Sequence, residues 1–165
     1  MAILVAQLGM RSLPGAWRTL NTDFPNYYVA ASLVREHVDT SRVYEWIWFA
    51  RQKDYRAIDQ RIAGMVPLTV FSTLFVYPLT YLPPLTAKHC WIVFNLALLL
   101  GIAGLLRATT GLPWRRVALL IALSFPMRVN FLYGQFYVLL LFVLTLACFL
   151  YLHQRSFAAG AASFS

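Results

Sequence analysis

All six acidic residues (Asp23, Glu36, Asp39, Glu45, Asp54 and Asp59) fall in one window, and the chain from Gln60 to Ser165 has none. That acid-free stretch is a succession of apolar runs separated by proline, glycine and arginine. A soluble domain carries about 25% charged residues. Here only 12% of the 165 residues are charged and 60% are hydrophobic. The pattern predicts an all-α, polytopic integral membrane protein.

The net charge of +8 does not point to nucleic acid. Lys88, Arg107, Arg115, Arg116, Arg128 and Arg155 stand at the ends of apolar runs, where basic residues set topology and meet lipid headgroups. The lipid bilayer is therefore the first expected partner. Cys90 and Cys148 lack metal-ligand spacing, and His37, His89 and His153 are scattered, so no metal or cofactor is expected.

Four regions follow. Residues 1–20 read as the remnant of a first membrane helix, apolar over Met1–Leu8 and ended by Arg11, Pro14 and Gly15. Residues 21–64 read as an extracytoplasmic loop. In it Thr22 or Asp23 caps a helix with Pro25 in its first turn. Balanced charges interleaved with Tyr44, Trp46, Ile47, Trp48 and Phe49 then predict one or two interfacial amphipathic helices. Residues 65–152 form the transmembrane region, and 153–165 a tail.

Within that region Val66–Leu82, bounded or kinked by Pro67 and Pro78, is the first membrane run and Trp91–Leu106 the second. Ala97, Gly101 and Gly104 share one face of the second run, which suits close helix packing. Val117–Pro126 is too short to span. Asn130–Leu152 is predicted as one spanning helix, with Asn130, Gly134, Tyr137, Leu141, Thr145 and Cys148 on its inner face. The positive-inside rule puts 107–116 and 153–155 in the cytoplasm and Asn130–Gln135 on the far side. With Asp23 also on the far side, 66–106 must cross an odd number of times, yet two runs are visible there.

Three stretches resemble glycosyltransferase family 87, whose members have the GT-C membrane fold. Asp23-Phe24 followed by Tyr27-Tyr28-Val29-Ala30-Ala31 is similar to the family's D-F-x-x-Y-Y-x-A opening. From Pro67 to Leu100, Tyr77-Pro78-Leu79, Leu82-Pro83-Pro84, Ala87-Lys88, Trp91 and Asn95-Leu96 recur in family order. Pro126, Asn130-Phe131 and Gly134-Gln135 complete the likeness. The family has N or L-x-x-G-Q-x-N there, and Tyr137 replaces the last Asn. The resemblance covers the N-terminal part of such an enzyme, so the chain is expected to be a fragment of a longer protein with a GT-C-like helical bundle.

The resemblance implies a membrane hexosyltransferase, mannosyl by analogy. It would take sugar from a polyprenyl-phosphate donor to a lipid or glycan acceptor at the bacterial inner (plasma) membrane. Asp23 would be the general base, since a positioned carboxylate can take the acceptor hydroxyl's proton. The donor's leaving group is already an anion, so one carboxylate suffices, unlike the pair used in glycoside hydrolysis. Tyr27, Tyr28, Asn130 and Gln135 would bind substrate. From residue types alone Asp23 reads equally as a helix N-cap, the tyrosines as a membrane-interface belt, and Asn130 and Gln135 as helix caps and bundle hydrogen bonds. A transporter or flippase segment and a non-catalytic membrane scaffold are the alternatives. A proton-coupled transporter would carry ionisable groups inside its spans, and 66–82, 91–106 and 130–152 have none.

Overall fold

The computed structural model describes residues 13–58 and 70–162. These form α1 (Leu13–Arg18), α2 (Phe24–Arg35), α3 (Trp46–Asp54), α4 (Val70–Val76), a 3-10 turn (Tyr77–Tyr81), α5 (Pro84–Thr110), α6 (Trp114–Leu123), α7 (Phe125–Tyr133) and α8 (Tyr137–Ala162). No strand occurs among the described residues, as the all-α expectation requires.

The centre of the fold is α2. Every residue from Phe24 to Leu33 is buried. A helix covered on all sides needs no polar stripe; within it Ser32 Oγ donates to the Tyr28 carbonyl at 2.8 Å, while the buried Asn26 Nδ2 has no protein acceptor among the described residues. Phe24, Val29, Ala31 and Leu33 have no exposed surface and join Val76, Ala87, Trp91 and Leu139 in one apolar core. The end of α2 is pinned by Arg35, which donates to the Thr80 carbonyl and pairs with Glu36 at 3.1 Å. Arg56 pairs with the other Glu36 oxygen. Tyr27 and Tyr28 are thus core residues, 4% and 6% exposed, and do not form an interfacial belt.

Among the described residues, α3 is the helix that forms in the charged stretch after α2. It buries Phe49 and Lys53 and leaves Trp46 and Ile47 exposed.

Pro14 lies at the second position of α1, where its missing N–H costs nothing; the expected helix over Met1–Leu8 lies outside the described residues. The described part of Val66–Leu82 is α4 followed by the 3-10 turn, a change at Pro78, which the sequence reading expected to bound or kink the run and which has no N–H to continue the α-helical ladder. Asn130–Leu152 is also divided. Gly134 adopts φ 74° and closes α7, and α8 starts afresh at Tyr137.

Only α5 is long and apolar enough to cross a membrane among the described residues. Its 27 residues span roughly 40 Å at 1.5 Å per residue. It exceeds the expected Trp91–Leu106 at both ends. Pro84 occupies its first turn and Gly111 closes it with φ 67°. Along it lies α8, with Phe142 so close to Gly101 that an added Cβ would sit 2.9 Å from the ring. Gly104 meets nothing within 4 Å, so the predicted small-residue face is used at one of its two glycines.

Trp91, near the start of α5, meets Gly134 and Phe136 just before α8 begins, and Gly101, ten residues further along α5, meets Phe142 in α8. The two long helices therefore run parallel, and α6 with α7 returns the chain from the far end of α5 to its beginning.

Candidate functional site

Asp23 sits at the N-cap position of α2, but its side chain makes no capping bond. Its backbone is already helical, at φ −79° and ψ −22°, and its carbonyl accepts from Asn26 N at 3.0 Å. The carboxylate points across the fold instead. Gln135 Nε2 donates to Asp23 Oδ2. Tyr27, one turn along α2, donates its hydroxyl to Gln135 Oε1 at 2.7 Å. The three side chains form a continuous run, tyrosine to amide to carboxylate, and Asp23 remains partly open to solvent. Oδ1 has no protein donor among the described residues.

Burial raises the Asp23 carboxyl above its ordinary value of 3.8, and the Gln135 hydrogen bond acts in the opposite direction. Tyr27 is raised as well, by burial first and then by the nearby charge of Asp23. It stays protonated and remains a donor.

The backbone around this trio is locked. Asp23 N donates to the Tyr133 carbonyl at 3.0 Å. Trp91 Nε1 donates to the Gly134 carbonyl at 3.2 Å. A Cβ on Gly134 would lie 2.7 Å from the Phe24 Cβ, so only glycine permits this approach of the α7–α8 junction to α2. Phe136 packs edge-on against Tyr27 at 4.5 Å between ring centres.

On the other side of Asp23, Lys88 is fully buried. It donates to the Thr19 carbonyl at 2.6 Å and to Thr22 Oγ1 at 3.1 Å. Beside it His89 stacks on Trp17 at 3.9 Å and meets the Trp17 carbonyl. Together they tie α1 and the segment before Asp23 to the start of α5.

The remaining expected site residues lie behind this layer. Asn130 is 1% exposed. It donates to Asn95 Oδ1 and accepts from Val138 N, each at 3.2 Å. It thereby caps the new helix α8 after the break at Gly134. Tyr28 gives its hydroxyl to the Leu82 carbonyl at 2.8 Å. So Tyr27 and Gln135 come together with Asp23, whereas Tyr28 and Asn130 brace the surrounding backbone.

The sequence reading did not assign Lys88, Trp91 and Asn95 to the site. Their three- and four-residue spacing puts them on one face of α5, and polar residues in an otherwise apolar helix were the available signal. Trp91 also backs an apolar groove of about 510 Å³ between the 3-10 turn and α5, lined by Leu74, Phe75, Pro78, Leu79 and Phe94. Among the described residues no cluster of His, Cys, Asp or Glu could hold a metal ion.

The sequence matches the profile of glycosyltransferase family 87 over residues 69–163, more than half of the chain. The chain belongs to that family, and its class is a glycosyltransferase of a membrane-protein family. No curated protein and no solved structure matches it significantly. The matched region contains Trp91, Asn95, Asn130 and Gln135 but not Asp23. Asp23 is joined to it by the Gln135 side chain and the Tyr133 carbonyl.

Proposed function

We propose that the protein transfers a hexose, mannose by family analogy, from a polyprenyl-phosphate donor to a lipid or glycan acceptor, with Asp23 as the general base. The acceptor hydroxyl gives its proton to the carboxylate as its oxygen bonds to the anomeric carbon. The bond from that carbon to the phosphate oxygen breaks, polyprenyl phosphate leaves as an anion, and the in-line displacement inverts the anomeric centre. Tyr27 and Gln135 wall the reacting carboxylate. Tyr28 and Asn130 frame the substrate region from behind. The work would take place on the extracytoplasmic face of the bacterial inner membrane.

The observation that carries this reading is the orientation of Asp23. A carboxylate at a helix N-cap ordinarily bonds the helix N–H groups. This one is turned away from them, held by one oxygen and open at the other. Its raised pKa brings it toward the range where a base is effective. The apolar groove over Trp91 supplies a surface for a prenyl chain beside the same site.

The test is sugar transfer from polyprenyl-phosphate hexose by membranes carrying the protein or its Asp23→Asn variant. General-base catalysis contributes roughly 10²–10⁴-fold, and a loss of that order is expected. Undiminished transfer by a folded variant rejects Asp23 as the base.

A further inference from the structure

We propose that Gln135 is a positioning residue for the Asp23 carboxylate, and that Tyr27 anchors the Gln135 amide in that alignment by holding its oxygen. The proposal rests on the reading of Asp23 as the base, and it replaces substrate contact with internal alignment as the task of these two side chains.

An isolated glutamine amide offers a carbonyl or an NH₂ group with equal ease. Only the NH₂ end can serve an ionised carboxylate. Tyr27 takes the other end: its hydroxyl donates to Oε1 at 2.7 Å while Nε2 faces Asp23 Oδ2. The ionised carboxylate can only accept, so the run has one direction, hydroxyl to amide oxygen and amide nitrogen to carboxylate. The backbone fixes the other coordinate. Gln135 N donates to the Asn130 carbonyl at 3.1 Å, and Asp23 N to the Tyr133 carbonyl at 3.0 Å. The distance between the two side chains is therefore set by the α7–α8 junction rather than by loop motion. With Oδ2 occupied, Oδ1 is the oxygen left for the acceptor hydroxyl. The carboxylate's torsion is defined before any substrate arrives, which is how a positioned group lowers a barrier.

The titratable groups facing this run from each packed element are few. On α2 there is Tyr27 itself. From α8 there is Tyr137, which acts on Tyr27. From α5 there is Lys88, which reaches Thr22 next to Asp23. None of these gives Asp23 an ion-pair partner among the described residues.

The experiment has two arms. The first reads the ionisation midpoint of the Asp23 carboxylate by pH-difference infrared spectroscopy of the purified full chain in detergent, with Asp23→Asn as the subtraction that identifies the band. Gln135→Leu is expected to move the midpoint to higher pH, since a bond to the charged form is lost. Tyr27→Phe is expected to move it the same way by less. The second arm measures transfer against pH. Gln135→Leu is expected to lower kcat on the order of tenfold and to shift the ascending limb upward, with KM within about twofold of wild type.

An unmoved midpoint and limb in Gln135→Leu overturns the positioning role, even if transfer falls. A raised KM with unchanged kcat overturns it in favour of substrate binding. Wild-type behaviour of Tyr27→Phe overturns the part given to the tyrosine. Undiminished transfer by Asp23→Asn instead overturns the base reading itself, while leaving the infrared result for the Gln135–Asp23 contact intact.

Discussion

Asp23 carries an internal cost that is visible in its own thermodynamics. Its folded-state pKa is raised, so the folded protein holds a proton more tightly than the unfolded chain does. Stability contributed by this group is therefore present at low pH and lost as pH rises through the folded pKa. Asp23→Asn, which is neutral throughout, should be at least as stable as the wild type at neutral pH while losing transfer activity. A melting curve in detergent checks the first half of that statement. Gly134 shows the opposite sensitivity. It combines φ 74° with a Cβ direction blocked 2.7 Å away by Phe24. Gly134→Ala should destabilise by about 1–3 kcal/mol, read as a lower unfolding midpoint, and should part Gln135 from Asp23. Neither feature was fully legible in the sequence. The family resemblance singles out Asp23 and Gly134-Gln135, but no local pattern says that a carboxylate at an N-cap declines to cap. That outcome depends on a partner 112 residues away.

At the scale of elements, the sequence reading was best where length and composition decide. The helical class and the long helix around Trp91–Leu106 both follow from apolar runs too long for anything else. It was weakest where one residue interrupts a run. Asn130–Leu152 stays apolar through Gly134, so hydropathy joins what backbone geometry separates. The break at Gly134 has a second cause, which is polar rather than steric. Asn130 reaches past the junction to cap α8 while bonding Asn95 on α5. Asn130→Ala should leave the Asn95 carbonyl and the Val138 N–H without these buried partners. The expected cost is about 1–3 kcal/mol, measured as a fall in unfolding midpoint. The burial of α2 was equally hidden. Its Tyr27-Tyr28 pair has the composition of an interfacial anchor, and only the packing of four other segments around it shows a core helix instead.

At the scale of the molecule, α5 and α8 run parallel. One long helix leaves the Asp23 level, two short ones return to it, and α8 leaves again. Arg107, Arg115 and Arg116 thus share an end with His153, away from Asp23. If that end is cytoplasmic, a thiol introduced by Thr40→Cys on a Cys90→Ser, Cys148→Ser background should react with an impermeant maleimide from outside. One introduced by Thr110→Cys should react only in inverted vesicles. Labelling of both from the same side would refute the arrangement. The partnership of Asp23 with Gln135 also has a consequence in time. The chain emerges from the ribosome amino end first, so the carboxylate is made long before the amide that aligns it. Contacts of such sequence separation form late and slowly. Until the α7–α8 junction arrives, the α2 segment has neither its glutamine nor the Tyr133 and Gly134 backbone to rest on. The Asp23–Gln135 arrangement is therefore an event of completion, absent from every shorter nascent chain; on the proposed function, a half-made protein has no aligned base.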